Sequence, residues 1–215
     1  MKNIFNMDGP IFVFLSKVAD ILILNIMLLV TCVPIITIGA GLTALYATAM
    51  KCICRGEGYV FKTFCKEFAL HFKHATLSYL LIGAAYIILY IDFRAVSVMF
   101  AATIAWVLRI VICLAALLLL MMASYLFAYI AIADTTMKEN FKNSMLISIA
   151  RLPYTVIMIV LNLAPVIIIL VSGYIYIPML GFYFWAGFAV VASVNSLLLN
   201  KTFKRFHMID SAEDE

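Results

Sequence analysis

Long apolar stretches without charge constrain this chain more than any other feature. The segment from Ile110 to Ala133 carries no charged side chain, and between Val18 and Met50 the only charge is Asp20. Hydrophobic residues make up 67% of the 215 positions and charged residues 12%, whereas soluble domains are about half apolar and about a quarter charged. A helix that crosses a bilayer needs roughly 20 apolar residues. The chain is therefore predicted to be an all-α integral membrane protein, a bundle of transmembrane helices.

The stretch from Val18 to Met50 is too long for one straight span. Its 33 residues would form a helix of about 50 Å, against a hydrocarbon core of about 30 Å. Pro34 interrupts the stretch, because proline removes a helix hydrogen bond and disfavours α geometry at the preceding residue. Two membrane helices are therefore favoured here, which gives six segments in the whole chain. One kinked span over residues 18–50 would give five.

Apolar segments separated by polar ones predict a single membrane domain over residues 1–215. The predicted membrane segments are 11–33, 38–51, 75–91, 104–133, 152–171 and 174–199. The polar segments are 52–74, 134–151 and the tail 200–215. Lys and Arg concentrate in these polar segments, and positively charged loops remain in the cytoplasm. The two basic loops and the C-terminus are therefore expected to be cytoplasmic, in a multi-pass protein of the plasma membrane.

The first basic loop contains an amphipathic pattern. Phenylalanines recur at steps of three or four over residues 61–72, whereas Lys62, Lys66 and Lys73 lie on another face. The pattern predicts a basic amphipathic helix at the membrane interface, attracted to anionic headgroups by about 1 kcal/mol per basic residue. The lysines of the two loops are candidate docking positions for lipid or for a partner protein: Lys62, Lys66, Lys73, Lys138 and Lys142.

The break at Pro34 supplies the candidate binding residues. In transporters, interrupted membrane helices aim free backbone amides and a positive dipole end at a substrate. Thr37 would cap such a helix, Gly39 lies at its start, and Asn25 and Asn162 are amides within apolar segments. The alternative is structural: small residues permit close packing, and the amides hydrogen-bond between helices. Packing is favoured, because Pro and Gly are common in membrane helices.

Motifs that would indicate an enzyme are missing from the sequence. It contains no Gly-x4-Gly-Lys-Ser/Thr phosphate loop, no Gly-x-Ser-x-Gly elbow and no His-Glu-x2-His zinc motif. His71, His74 and the pair Cys52-x-Cys54 lack the spacing of zinc sites. The net charge of +4 is too small to suggest nucleic acid. We therefore expect no enzyme activity, no cofactor, no metal site and no nucleic-acid partner.

Several motifs resemble the YesL-like family of bacterial integral membrane proteins, whose function is unknown. The matching residues are densest in the N-terminal third: Asn25; Pro34-Ile-Ile-Thr37-Ile-Gly39-Ala40; Leu42-Thr-Ala44-Leu45-Tyr46; the segment from Gly58 to Phe68; Phe72-Lys73-His-Ala75-Thr76; and Tyr90-Ile-Asp92-Phe-Arg94. The segment before Leu152-Pro153 is also similar. The resemblance implies a small multi-pass protein encoded beside genes for carbohydrate ABC transporters and polysaccharide breakdown. It supplies no catalytic residue, because no activity is established for the family.

Two functions of different classes are consistent with these features. The first is a non-enzymatic accessory membrane protein, associated with carbohydrate uptake or utilisation, whose basic loops bind anionic lipid or a carbohydrate ABC transporter. The second is a small transporter, acting alone or as a homodimer, with its site at the broken N-terminal helix pair. The absence of catalytic motifs and the family resemblance favour the first.

Overall fold

The computed structural model describes residues 10–56, 58–99, 102–133, 135–171, 181 and 183–205. Within these residues the chain is helical and has no strand. The α-helices are α1 (Pro10–Cys32), α2 (Ile38–Thr48), α3 (Val60–Met99), α4 (Ala102–Ile130), α5 (Met137–Ala150), α6 (Leu152–Val171) and α7 (Phe188–Arg205). A 3-10 turn, Ile35–Thr37, precedes α2, and π-helical stretches, Ala49–Cys54 and Tyr183–Gly187, follow α2 and precede α7. The predicted all-α bundle is confirmed.

Five helical stretches of the described chain are long and apolar enough to cross a membrane: Leu15–Cys32, Ile35–Cys54, Val60–Val96, Thr103–Ile130 and Tyr183–Asn200. A sixth is reached when the bent pair Met137–Ala150 and Leu152–Leu163 is counted as one span; its second helix, α6, has 20 residues and extends over about 30 Å. α1 and α2 are separate helices, as the six-segment interpretation predicts. The chain leaves helical geometry at Pro34, whose backbone is extended (φ −78°, ψ 117°).

α2 forms the centre of the bundle, where it contacts α1, α3, α4 and α7. Its small residues are buried and permit unusually close packing. A Cβ atom on Gly39 would lie 2.5 Å from the carbonyl oxygen of Ala75 and 2.5 Å from the Cβ of Tyr79, both in α3. A Cβ atom on Gly41 would lie 2.9 Å from the hydroxyl oxygen of Thr31 in α1. The packing interpretation of these small residues is confirmed.

α3 is a single helix of 40 residues, about 60 Å long. No proline occurs within it, and Gly83 does not interrupt it. The predicted basic amphipathic helix and the predicted span 75–91 are therefore two parts of one element. The amphipathic half is helical as predicted, but it continues along the axis of the span instead of forming a separate helix.

The second basic segment, expected as a loop over residues 134–151, is mostly the helix α5. At its start, the backbone N–H and the hydroxyl of Thr136 donate to the carboxylate of Glu139 over 3.0 and 2.9 Å. These bonds hold the pKa of Glu139 below its usual value, and they satisfy a backbone donor that would otherwise be free at a helix start. At the other end of the chain, α7 continues to Arg205, so the predicted tail 200–215 begins as helix. The rest of that tail, and much of residues 174–182, lie outside the described residues.

Candidate functional site

Asn25, the first predicted binding residue, is buried and hydrogen-bonded to backbone. Its amide nitrogen donates to the carbonyl oxygens of Phe184 at 2.7 Å and of Tyr183 at 3.3 Å. Its side-chain oxygen accepts from the backbone N–H of Ala189 at 3.1 Å. Asn25 thus ties α1 to the junction between the second π-helical stretch and α7, and both ends of its amide are used by the protein.

Thr37 and Gly39 also make structural contacts. The hydroxyl of Thr37 donates to the carbonyl oxygens of Thr31 and Pro34, so it closes the break between α1 and α2. It makes no side-chain hydrogen bond to the start of α2, which the cap role would require. Gly39 lies against the backbone of α3, where there is no space for a ligand.

Asn162 connects two other helices. Its side-chain oxygen accepts a hydrogen bond from the amide nitrogen of Asn195 at 3.1 Å, which joins α6 to α7. The four predicted binding residues therefore belong to different helix contacts: Asn25 to α1 and α7, Thr37 to the α1–α2 break, Gly39 to α2 and α3, and Asn162 to α6 and α7. None of them lines the pocket described next.

A pocket of about 290 Å³ lies between the first half of α3, the end of α4 and the start of α5. Its lining residues are Leu70, His71, His74, Ile130, Ala133, Thr135 and Asn140. The hydroxyl of Thr135 donates to the side-chain oxygen of Asn140, and the Asn140 amide donates back to the Thr135 carbonyl oxygen at 3.4 Å. The pocket is thus lined by apolar side chains together with two histidines and an amide that Thr135 holds in place.

An ionic cluster around a buried carboxylate adjoins this pocket through His71. The carboxylate of Glu67 lies 2.7 Å from the Nζ atom of Lys51 and 3.4 Å from the Nε2 atom of His71. Glu67 is 2% exposed and belongs to the polar half of α3, before the apolar span begins near Ala75. The hydrogen bond from His71, together with the charge and hydrogen bond of Lys51, lowers the pKa of Glu67 to about 2. The carboxylate is therefore ionised at neutral pH, and it orients the His71 ring that faces the pocket.

The pocket brings the two basic segments together. We call residues 60–74 of α3 and residues 135–150, which include α5, the basic end of the bundle. The five predicted docking residues all lie there with exposed side chains: Lys62, Lys66, Lys73, Lys138 and Lys142. Segments far apart in the sequence thus line one cavity, and both carry exposed lysines.

The described part of the chain contains no group of three or more His, Cys, Asp or Glu side chains that could hold a metal ion. His71 and His74 line the pocket. Cys52 belongs to the hydrophobic core, and the sulfur of Cys54 lies 3.3 Å from the hydroxyl of Ser196 in α7.

Glu67 and Asn140 were not among the predicted site residues. Glu67 is the one acidic residue between Gly58 and Ile91, and it lies three residues after Phe64 and four before His71. This spacing places a carboxylate on the apolar stripe of an amphipathic helix. The unusual position of Glu67 can therefore be recognised from the sequence. Asn140 carries no such signal, because the pocket that it lines is completed by residues of α3 some seventy positions earlier.

The N-terminal part of the chain matches a known family model. Residues 21–93, from α1 through most of α3, match the family described as "Protein of unknown function, DUF624". No curated protein and no solved structure matches the chain. The matched part contains the broken α1–α2 pair and the Lys51–Glu67–His71 cluster, whereas α4 to α7 lie beyond it. Over α1 to α3, this helical membrane protein is therefore similar to a family of proteins of unknown function.

Proposed function

We propose that this chain is a YesL-like, non-enzymatic accessory protein of the bacterial plasma membrane that assists a carbohydrate uptake system. The observation that carries the proposal is the basic end, where α3 and the start of α5 line one pocket and carry five exposed lysines. An accessory protein needs a surface for its partner, and an exposed charged surface favours binding by electrostatic complementarity. The absence of catalytic motifs from the sequence supports a role in binding.

In this proposal the basic end and the C-terminus face the cytoplasm, because positively charged segments are retained there. The apolar part of α3 begins near Ala75, so the helix from Val60 to Lys73 would extend about 20 Å beyond the hydrocarbon core. This distance exceeds the headgroup layer, which is about 5–8 Å thick on each side. The lysines near the start of α3 would therefore be available to the cytoplasmic parts of a carbohydrate ABC transporter.

The alternative, a small transporter with its site at the broken helix pair, has less support. A substrate site needs polar groups that are free to bind a substrate. Asn25 and Thr37 donate to backbone carbonyls, and Asn162 accepts from Asn195. Because these groups already have protein partners, substrate binding would have to break contacts that hold the helices together.

Co-purification from native membranes tests the proposal. The tagged chain would be extracted in a mild detergent and its partners identified by quantitative mass spectrometry, with an unrelated multi-pass protein of similar size as the control. We expect subunits of a carbohydrate transporter to be enriched with this chain and absent from the control. A chain that purifies without any transport component would contradict the proposal.

A further inference from the structure

α5 and α6 meet at 102°. The chain turns at Arg151, whose backbone is not helical (φ −123°, ψ 42°). The buried Thr155 holds the turn, because its hydroxyl lies 2.8 Å from the carbonyl oxygen of Ser148 in α5 and 3.2 Å from the hydroxyl of Tyr125 in α4. α6 is long enough to cross the bilayer and α5 is nearly perpendicular to it. α5 therefore lies close to the membrane plane.

On α5 the polar side chains lie mostly inward and apolar side chains lie outward, unlike on a surface helix of a soluble protein. The inward face of α5 is mostly polar, since Asn140, Ser144 and Ser148 are buried there together with the apolar Ile147. Its outward face carries exposed apolar side chains: Met145, Leu146 and Ile149 are 41%, 64% and 46% exposed. A surface helix in water shows the opposite pattern, with its apolar stripe toward the core. The outward face of α5 is therefore suited to an apolar environment.

Exposed apolar residues continue directly past the bend into α6. Leu152, Val156 and Val160 are 49%, 55% and 57% exposed, and on a membrane-spanning helix such residues face lipid. Ile149 on α5 precedes Leu152 by less than one helical turn. The lipid that covers the start of α6 is therefore in a position to cover the end of α5 as well.

The first half of α5 carries two lysines on the same outward side, with the exposed Glu139 at its edge. At 100° per residue, Lys138 and Lys142 lie within the arc that also contains Met145 and Ile149. Both lysines are exposed, and Lys142 precedes Leu146 by one turn. A lysine in this position can lay its apolar stem along acyl chains and place its ammonium among headgroup phosphates.

We propose that α5 is an interfacial helix whose outward face is covered by anionic phospholipid. Met145, Leu146 and Ile149 lie among the first carbons of the acyl chains, and Lys138 and Lys142 bind the headgroup phosphates. This inference goes beyond the accessory role and holds whether or not a transporter binds. It also divides the basic end: α5 is occupied by lipid, and Lys62 and Lys66 on α3 remain for a protein partner.

Fluorescence quenching by lipids with brominated acyl chains tests which environment covers α5. Leu146→Trp and, separately, Ile149→Trp would be made in the full chain carrying Trp106→Phe and Trp185→Phe, and reconstituted in liposomes. Val156→Trp on α6 is the lipid-facing reference, and Tyr59→Trp, at a position 83% exposed, is the reference outside the bilayer. We expect the two α5 tryptophans to be quenched as strongly as the one on α6, and Tyr59→Trp to be unaffected.

Two outcomes would overturn the inference. If the α5 tryptophans behave like Tyr59→Trp and are quenched instead by aqueous acrylamide, the face is covered by water. If neither quencher reaches them in the liposomes, protein covers the face. Two independent α5 positions keep the test decisive when one variant fails to fold.

A matched pair of double variants tests the charge component. Lys138→Gln with Lys142→Gln changes α5, and Lys62→Gln with Lys66→Gln changes α3 by the same charge. The association of spin-labelled phosphatidylglycerol, relative to phosphatidylcholine, would be measured for each in liposomes. We expect the α5 variant to lose roughly fivefold in relative affinity per lysine, and the α3 variant to stay near wild type. An equal loss in both variants, or none in the α5 variant, would contradict the assignment.

Discussion

The broken α1–α2 pair and the basic end both place polar side chains in an apolar bundle, and they use them differently. In the pair, Asn25 and Thr37 donate to backbone carbonyls, so the protein itself uses these groups. At the basic end, His71 and Asn140 line a pocket, and lysines reach solvent. A polar group in hydrocarbon has no water to bind and must find a partner within the protein. At the end of the bundle, water is available, and polar groups can be kept for a ligand or a partner.

The largest effect is expected at Gly39, where the pair depends on close contact with α3. Gly39→Leu should lower the free energy of unfolding in detergent by about 3 kcal/mol, because the new Cβ would collide with the backbone oxygen of Ala75 and with Tyr79. Gly83→Leu is the matched control, since no atom outside the local helix lies within 4 Å of a Cβ there. Denaturant titration of both variants measures the difference. Equal stabilities would show that the α2–α3 contact is looser than described.

The next effect concerns the ionic cluster of the basic end. The pKa of Glu67 is lowered from 4.5 to about 2, first by His71 and then by Lys51. A carboxylate with a lowered folded-state pKa adds stability above the unfolded value, and this stability is lost as pH falls from about 4.5 to about 2. The full pKa shift corresponds to a contribution of about 3 kcal/mol to the free energy of unfolding. Screening by solvent reduces this contribution to roughly 2 kcal/mol, since Lys51 is 45% exposed.

Melting temperatures in detergent between pH 7 and pH 3 measure this contribution. The wild type should lose stability progressively below about pH 4.5, whereas Glu67→Gln should already be less stable at pH 7 and show a much flatter profile. Glu139→Gln changes an exposed carboxylate on α5. Its melting temperature should fall with pH nearly as much as that of the wild type. If the melting temperature of Glu67→Gln falls with pH as steeply as that of the wild type, the cluster does not stabilise the fold. The α1–α2 pair and the basic end would then differ less than proposed.

A smaller effect is expected from Asn25. Asn25→Leu should lower the free energy of unfolding by about 1 kcal/mol, because interhelical hydrogen bonds in membranes contribute about that much. Asn162→Leu should cost less, because Asn162 is exposed and makes one described hydrogen bond to Asn195. Denaturant titration checks the order. An Asn25→Leu variant with unchanged stability but altered substrate flux in liposomes would remove the contrast between the regions and favour the transporter alternative.

Much of the fold could be predicted from the sequence, because the strongest constraints are local. The apolar stretches define the spans, and Pro34 alone is sufficient to separate α1 from α2. The length of α3 could not be predicted in the same way. After Lys73 the sequence becomes apolar, from about Ala75. This change marks where the helix passes from water into hydrocarbon, but the helix does not end there. For the same reason the polar segment before Leu152 was expected as a loop, although it forms α5.

The candidate site could be predicted only in part. The docking lysines are predicted from charge patterns, and the structure shows that their side chains are exposed. The pocket could not be predicted, because the residues of α3 and of the start of α5 that line it are some seventy positions apart in the sequence. The binding role of Asn25 and Thr37 was inferred from their polarity inside the membrane. Such polarity is also what a helix contact requires, and the sequence contains nothing that separates the two roles.

The most direct test of the account compares partner binding by the two lysine pairs of the basic end. Wild type, the Lys62→Gln, Lys66→Gln variant and the Lys138→Gln, Lys142→Gln variant would be purified in parallel from native membranes, and the co-purified transporter subunits quantified. The account predicts that the α3 variant loses most of the partner while the α5 variant retains it. Full retention of the partner by the α3 variant, with its loss from the α5 variant, would contradict the account.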